Sequence, residues 1–166
     1  MIRIGMNDIK NKILKFHKQI ASDSNHRYKS WEHCYTYFRG NKIDVETACL
    51  QMSFYLASWG MYRGSSFLLW KDYLIHKDVV NHIIENKHLQ NVDYSEENDS
   101  HIDEILALIE WIKNWYKKNI KSINGVVRTI NVTDTLATKI VLGTLGCIPA
   151  YDRYFIDGLR FKGLSY

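Results

Sequence analysis

Pro149 is the only proline in 166 residues. Proline ends helices and central strands because its ring fixes φ and its nitrogen carries no hydrogen. A chain almost free of it, with only nine glycines, is permitted long uninterrupted helices. It lacks the punctuation of a turn-rich β fold. The hydrophobic spacing agrees. Ile9, Ile13, Phe16 and Ile20 recur at steps of three and four, with Lys10, Lys12, Lys15 and Lys18 on the other sides, which predicts a helix from Asn7 to Ile20.

Further helices follow by the same reasoning. One begins near Ser30 and stops before Gly40. Asp44 caps a segment apolar nearly all round, expected as the central helix, with Leu50, Phe54 and Ala57 inaccessible. Ser65 or Ser66 caps "FLLWKDYLI", and Asp78 opens a helix to about Leu89. Ser100 caps the longest helix, with Ile102, Ile105, Ile109, Ile112 and Tyr116 as its inner stripe and Asn124-Gly125 as its stop. "VVRTINV", Val126 to Val132, reads as extended loop, since a lone strand has no partner. Thr133 caps the next helix, and Gly146 stops it. Pro149 is expected to start a final helix, with Ile148, Phe155 and Leu159 packed inward and Tyr151 and Tyr154 along its flanks. The expectation is an all-α fold, a single compact domain over residues 1–166 with about seven helices.

Composition narrows the function. The three cysteines are odd in number and widely spaced, which implies a reducing compartment and a cytoplasmic location. No apolar run approaches the ~18 residues of a membrane span, so no membrane partner is expected. The N-terminus lacks the apolar core of a signal peptide. P-loop, dinucleotide and nucleophile-elbow motifs are missing, and no cofactor is implied. A formal charge of +4 permits a nucleic-acid or other phosphate-bearing partner.

Four constellations could carry chemistry. In "WGMYRGSSFLLW", Arg63 precedes Gly64, Ser65 and Ser66 at an expected helix start, where backbone N–H groups, hydroxyls and a guanidinium could hold an anion. Trp59, Tyr62 and Trp70 could stack on a base. The bland reading is a helix break with a serine cap and core aromatics. In "EWIKNWYKKNIK", Lys113, Lys117 and Lys121 fall on one face and suit a nucleic-acid backbone, or are simply a solvated face. His82, Glu85, His88 and His101 offer a metal reading, but a bundle di-metal site needs a second Glu-x-x-His and more glutamates, and no metal is assigned. Asp152, near the start of the final helix, either meets the helix dipole or does chemistry.

The segment "TDTLATKIVLGTLGCIPAYDRYF" resembles part of the helix-hairpin-helix DNA glycosylases: Thr135-Leu136 on a capped helix, a glycine-bearing turn, then an Asp at a new helix start. In that all-α family the Asp assists loss of a base from its sugar, so the resemblance implies a catalytic role for Asp152. The hairpin glycines that grip a DNA phosphate have no counterpart in "RTINVTDT", and Asp134 stands where bifunctional members carry a Schiff-base lysine. The sequence thus points to a helical protein that handles nucleic acid or another phosphate-bearing ligand. The alternatives are a non-enzymatic helical interaction module and a helical metalloprotein.

Overall fold

The structure, a computed structural model, describes residues 6–92, 100–161, 163 and 164. Among them are seven α-helices: α1 (Met6–Ala21), α2 (Lys29–Arg39), α3 (Val45–Ser58), α4 (Lys77–Glu85), α5 (Ser100–Asn119), α6 (Asp134–Thr144) and α7 (Arg153–Phe161). Short 3-10 helices at Phe67–Trp70, Tyr73–His76 and Lys87–Asn91 carry the connections around α4. The all-α expectation holds, and the polar loop expected at Asn91 to Ser100 lies largely outside the described residues.

α3 is the hub. It packs on α2, α4, α6 and the 3-10 helix Tyr73–His76, while α5 packs on α6. Asp44 starts α3 as expected, its Oδ1 accepting the Thr47 N–H at 2.9 Å. Gly60, at φ 78°, ends it, with the Met61 N–H reaching back to the Leu56 carbonyl at 2.8 Å. Its inner face is Ala48, Cys49, Met52, Tyr55 and Leu56, all fully buried. Leu50, Phe54 and Ala57, expected to be inaccessible, face outward, with Leu50 47% and Phe54 59% exposed. When apolar residues surround a helix, periodicity does not choose the inner face. Here the face with small Ala48 and Cys49 turns inward among three neighbouring helices.

Two terminal expectations are also corrected. Pro149 lies in the connection ahead of α7, and Asp152 is the residue that starts that helix, its Oδ1 accepting the Phe155 N–H at 3.1 Å. No residue of α7 is fully buried; Phe155 and Leu159 are half-buried and Tyr154 is exposed. α1 is similarly peripheral: of its expected apolar stripe only Ile20 is buried.

The long helix α5 ends at Asn119, not at Asn124-Gly125. Asn124 (φ 50°) and Gly125 (φ 77°) instead form the turn of a small hairpin pairing Ser122 with Val127 and Ile123 with Val126. Positive φ at both central residues is what a type I′ two-residue hairpin turn demands. "VVRTINV" therefore begins as a strand, its partner supplied by the two residues before the turn.

Candidate functional site

The C-terminal turn of α3 collects cations. The carbonyls of a helix's last turn lack intrahelical partners and carry the negative end of the dipole. Arg27, in the α1–α2 connection, donates from Nη2 to the Ser58 carbonyl at 2.6 Å. Lys139, on α6, donates from Nζ to the Trp59 carbonyl at 2.9 Å and stands 6.0 Å from the Trp59 ring centroid. The Arg63 guanidinium folds back over Gly60, 3.4 Å from where a β-carbon would stand there. Trp59 sits among these charges, packed on Tyr28 at 4.8 Å and Tyr55 at 5.7 Å.

The opposing charge is Asp152. Tyr151 is clamped to α6 from both sides: Thr135 Oγ1 donates to its carbonyl at 2.9 Å, and its N–H donates to Thr138 Oγ1 at 2.8 Å. That clamp brings the half-buried Asp152 close enough for its charge to act on Lys139 and Tyr55. Burial pulls the Lys139 ammonium below the usual lysine range; Asp152 opposes the fall, and Arg63 and Arg27 add to it. Burial raises the Tyr55 phenol strongly. The Tyr55 hydroxyl and Trp59 Nε1 are buried without a hydrogen-bond partner among the described residues, so the cluster is not a fully satisfied piece of core.

The structure thus brings Arg63, Trp59 and Asp152 into one neighbourhood and adds Lys139 and Arg27, which no sequence motif marks. Arg63, Gly64 and Ser65 are exposed. Ser66 caps as expected, accepting the Leu68 N–H at 3.3 Å, but the helix it starts is a single 3-10 turn of four residues. A helix that short has no useful dipole, so an anion here would meet Arg63 itself rather than a helix end. Trp59 and Tyr62 are half-buried against the core and are not open stacking platforms; Trp70 is 56% exposed.

Tyr62 belongs to a buried polar chain. Its hydroxyl lies 3.0 Å from His76 Nε2, and His76 Nδ1 lies 2.5 Å from the Tyr116 hydroxyl. His76 is fully buried, and burial pushes its imidazole down to about 3, so it is neutral. This chain ties the loop bearing Arg63 to α5.

The lysine stripe is reduced. Lys113 is half-buried and paired with Glu110 and, at 2.7 Å, with Asp134, which leaves Lys117 and Lys121 as its exposed members. Of the candidate metal residues, His82 pairs with Glu85 at 3.1 Å and His88 with Glu104 at 2.7 Å. Among the described residues no three His, Cys, Asp or Glu side chains converge as metal ligands would. No helix among the described residues is long and apolar enough to cross a membrane. Comparison with known families, characterised proteins and solved structures finds no match.

Proposed function

We propose that this protein binds a phosphate-bearing ligand, nucleic acid being the polymeric form, at the C-terminal turn of α3. One observation carries the reading. Three cations, Arg27, Arg63 and Lys139, act within one neighbourhood, and among the described residues Asp152 is the carboxylate that acts on Lys139 against them. Arg27 and Lys139 are committed to carbonyls. Arg63 is exposed, and its guanidinium has neither ion pair nor hydrogen-bond partner among the described residues. A planar guanidinium held over a glycine and backed by like charge favours an oxyanion, which it can grip through two parallel N–H bonds. Lys117 and Lys121 supply further exposed charge for a polyanion.

The test is titration of a fluorescent single-stranded oligonucleotide, and separately of inorganic phosphate, against the wild type and Arg63→Ala. Binding should weaken several-fold in the variant and fall steeply as salt rises from ~50 to ~200 mM, because cation–phosphate contacts release counterions. Arg63 is exposed, so the variant should keep its circular dichroism. Equal affinity of the two proteins for both probes rejects the site.

A further inference from the structure

Among the apolar stripes left uncovered on the described residues, two match. The first is on α1, where Ile9 is 46%, Ile13 51% and Phe16 42% exposed. Exposed Lys10, Lys12, Lys15 and Lys18 surround that stripe. The second is on α3, where Leu50 is 47% and Phe54 59% exposed, with exposed Ala57 continuing the line. Each stripe spans eight residues, from Ile9 to Phe16 and from Leu50 to Ala57, or about 10 Å of helix at ~1.5 Å per residue step.

Their charges are opposite. Exposed Glu46 begins the α3 stripe, one turn before Leu50, and its Oε1 accepts the Tyr73 hydroxyl at 2.7 Å. Exposed Asp44, which starts α3, and exposed Asp72, next to the Tyr73 that holds Glu46, lie at the same end, and all three carboxylates act on Cys49, with Lys77 opposing them. The α1 stripe is therefore apolar with a basic border, and the α3 stripe is apolar with an acidic end. Within one molecule both remain exposed, so neither covers the other.

We infer that this chain pairs with a second copy of itself by reciprocal docking of α1 onto the Leu50–Phe54 face of α3. A two-fold exchange covers both stripes in both copies at once and closes, leaving neither stripe unpaired. An anionic membrane surface would accept α1 but would leave the α3 stripe bare, which is why the second copy is the better occupant. The stripes end beside the phosphate site, at Ala57 in the last turn of α3 and at Phe16 packed 6.0 Å from Tyr28, but Ile13 and Phe54 lie apart from Arg27, Arg63, Lys139 and Asp152, so substitutions there test the pairing separately from phosphate binding.

Light scattering after size exclusion, over a dilution series, tests the pairing. The wild type should run at twice the 19.6 kDa chain mass when concentrated and dissociate on dilution. Ile13→Glu and Phe54→Glu, both at exposed positions, should keep native circular dichroism. Each should raise the dimer dissociation constant by about tenfold or more. A wild type that stays monomeric at every concentration overturns the proposal, as does a dimer that survives either substitution. Co-sedimentation of a monomeric wild type with phosphatidylserine vesicles would likewise overturn it and assign α1 to a lipid surface.

Discussion

Lys139 Nζ and the Trp59 carbonyl, eighty residues apart in the chain, meet at 2.9 Å in the middle of the fold. Lys139 is 7% exposed. Lysine is almost never buried unless something holds its charge, and here the holder is the unpaired end of a helix, aided by Asp152. Lys139→Met keeps the aliphatic stem and removes the ammonium. It leaves the Trp59 carbonyl without this donor, at a cost of ~1–3 kcal/mol, and it relieves the burial of a charge, which acts the other way. We expect the orphaned carbonyl to win and urea unfolding to show a net loss. A gain in stability would mean that the charge is held against the interest of the fold, the pattern of a residue kept for binding.

Gly143 gives a cleaner sign. Glycine inside a helix usually costs ~1 kcal/mol relative to alanine, so Gly143→Ala should stabilise an ordinary helix. At this position a β-carbon would collide with the ring of fully buried Tyr55. Rigid α3 and α6 backbones flank that ring, so the collision should decide and cost ~1–3 kcal/mol through overpacking. A raised melting temperature for Gly143→Ala would show that Tyr55 moves aside easily.

The corrected face of α3 makes a paired prediction. Met52→Ala, at a fully buried position, should cost ~2–5 kcal/mol. Leu50→Ala, on the outer face, should stay within ~0.5 kcal/mol for the isolated chain. Reversal of that order in denaturant titrations would restore the face that periodicity first suggested.

These cases show where the sequence was legible. Caps at Asp44, Ser66 and Thr133 were readable because a short polar side chain before an apolar run has one local job. The face of α3 was not, because no polar side marked the outside. Asn124-Gly125 was read as a helix stop although it also carries the strongest short hairpin signal, with Ile123 and Val126 beside it. Lys139 was within reach as the one cation inside the apolar run of α6. Arg27 was not, because only tertiary contact brings the α1–α2 connection to the end of α3.

His76 predicts a pH dependence. Its folded value is pushed down to about 3 from an ordinary 6.5, so between those limits the unfolded chain takes up a proton that the folded chain refuses. Stability should therefore fall as pH drops below 6.5, by roughly 1.4 kcal/mol for each unit well inside the window. His76→Gln keeps a donor and an acceptor between Tyr62 and Tyr116 but does not titrate. Its melting temperature should change less than that of the wild type between pH 6.5 and pH 4.5. Parallel curves for the two proteins would acquit His76.

Asp152 divides structure from chemistry. As a cap it accepts the Phe155 N–H at 3.1 Å, a task asparagine performs as well. On capping alone, Asp152→Asn should leave stability nearly unchanged and Asp152→Ala should lose ~0.5–2 kcal/mol. As a charge it acts on Lys139 and Tyr55, and asparagine abolishes that. Ligand binding therefore separates the roles. Removing the carboxylate that acts among these three cations should leave binding of a phosphate oligomer intact or tighten it, because the site becomes more positive. If the protein also catalyses base loss as the glycosylase-like reading proposes, the same Asp152→Asn protein should bind its substrate and fail to turn it over, since an amide neither stabilises a developing cation nor takes a proton. A variant that binds as well as the wild type and retains full turnover of a damaged-base duplex would confine Asp152 to the start of α7.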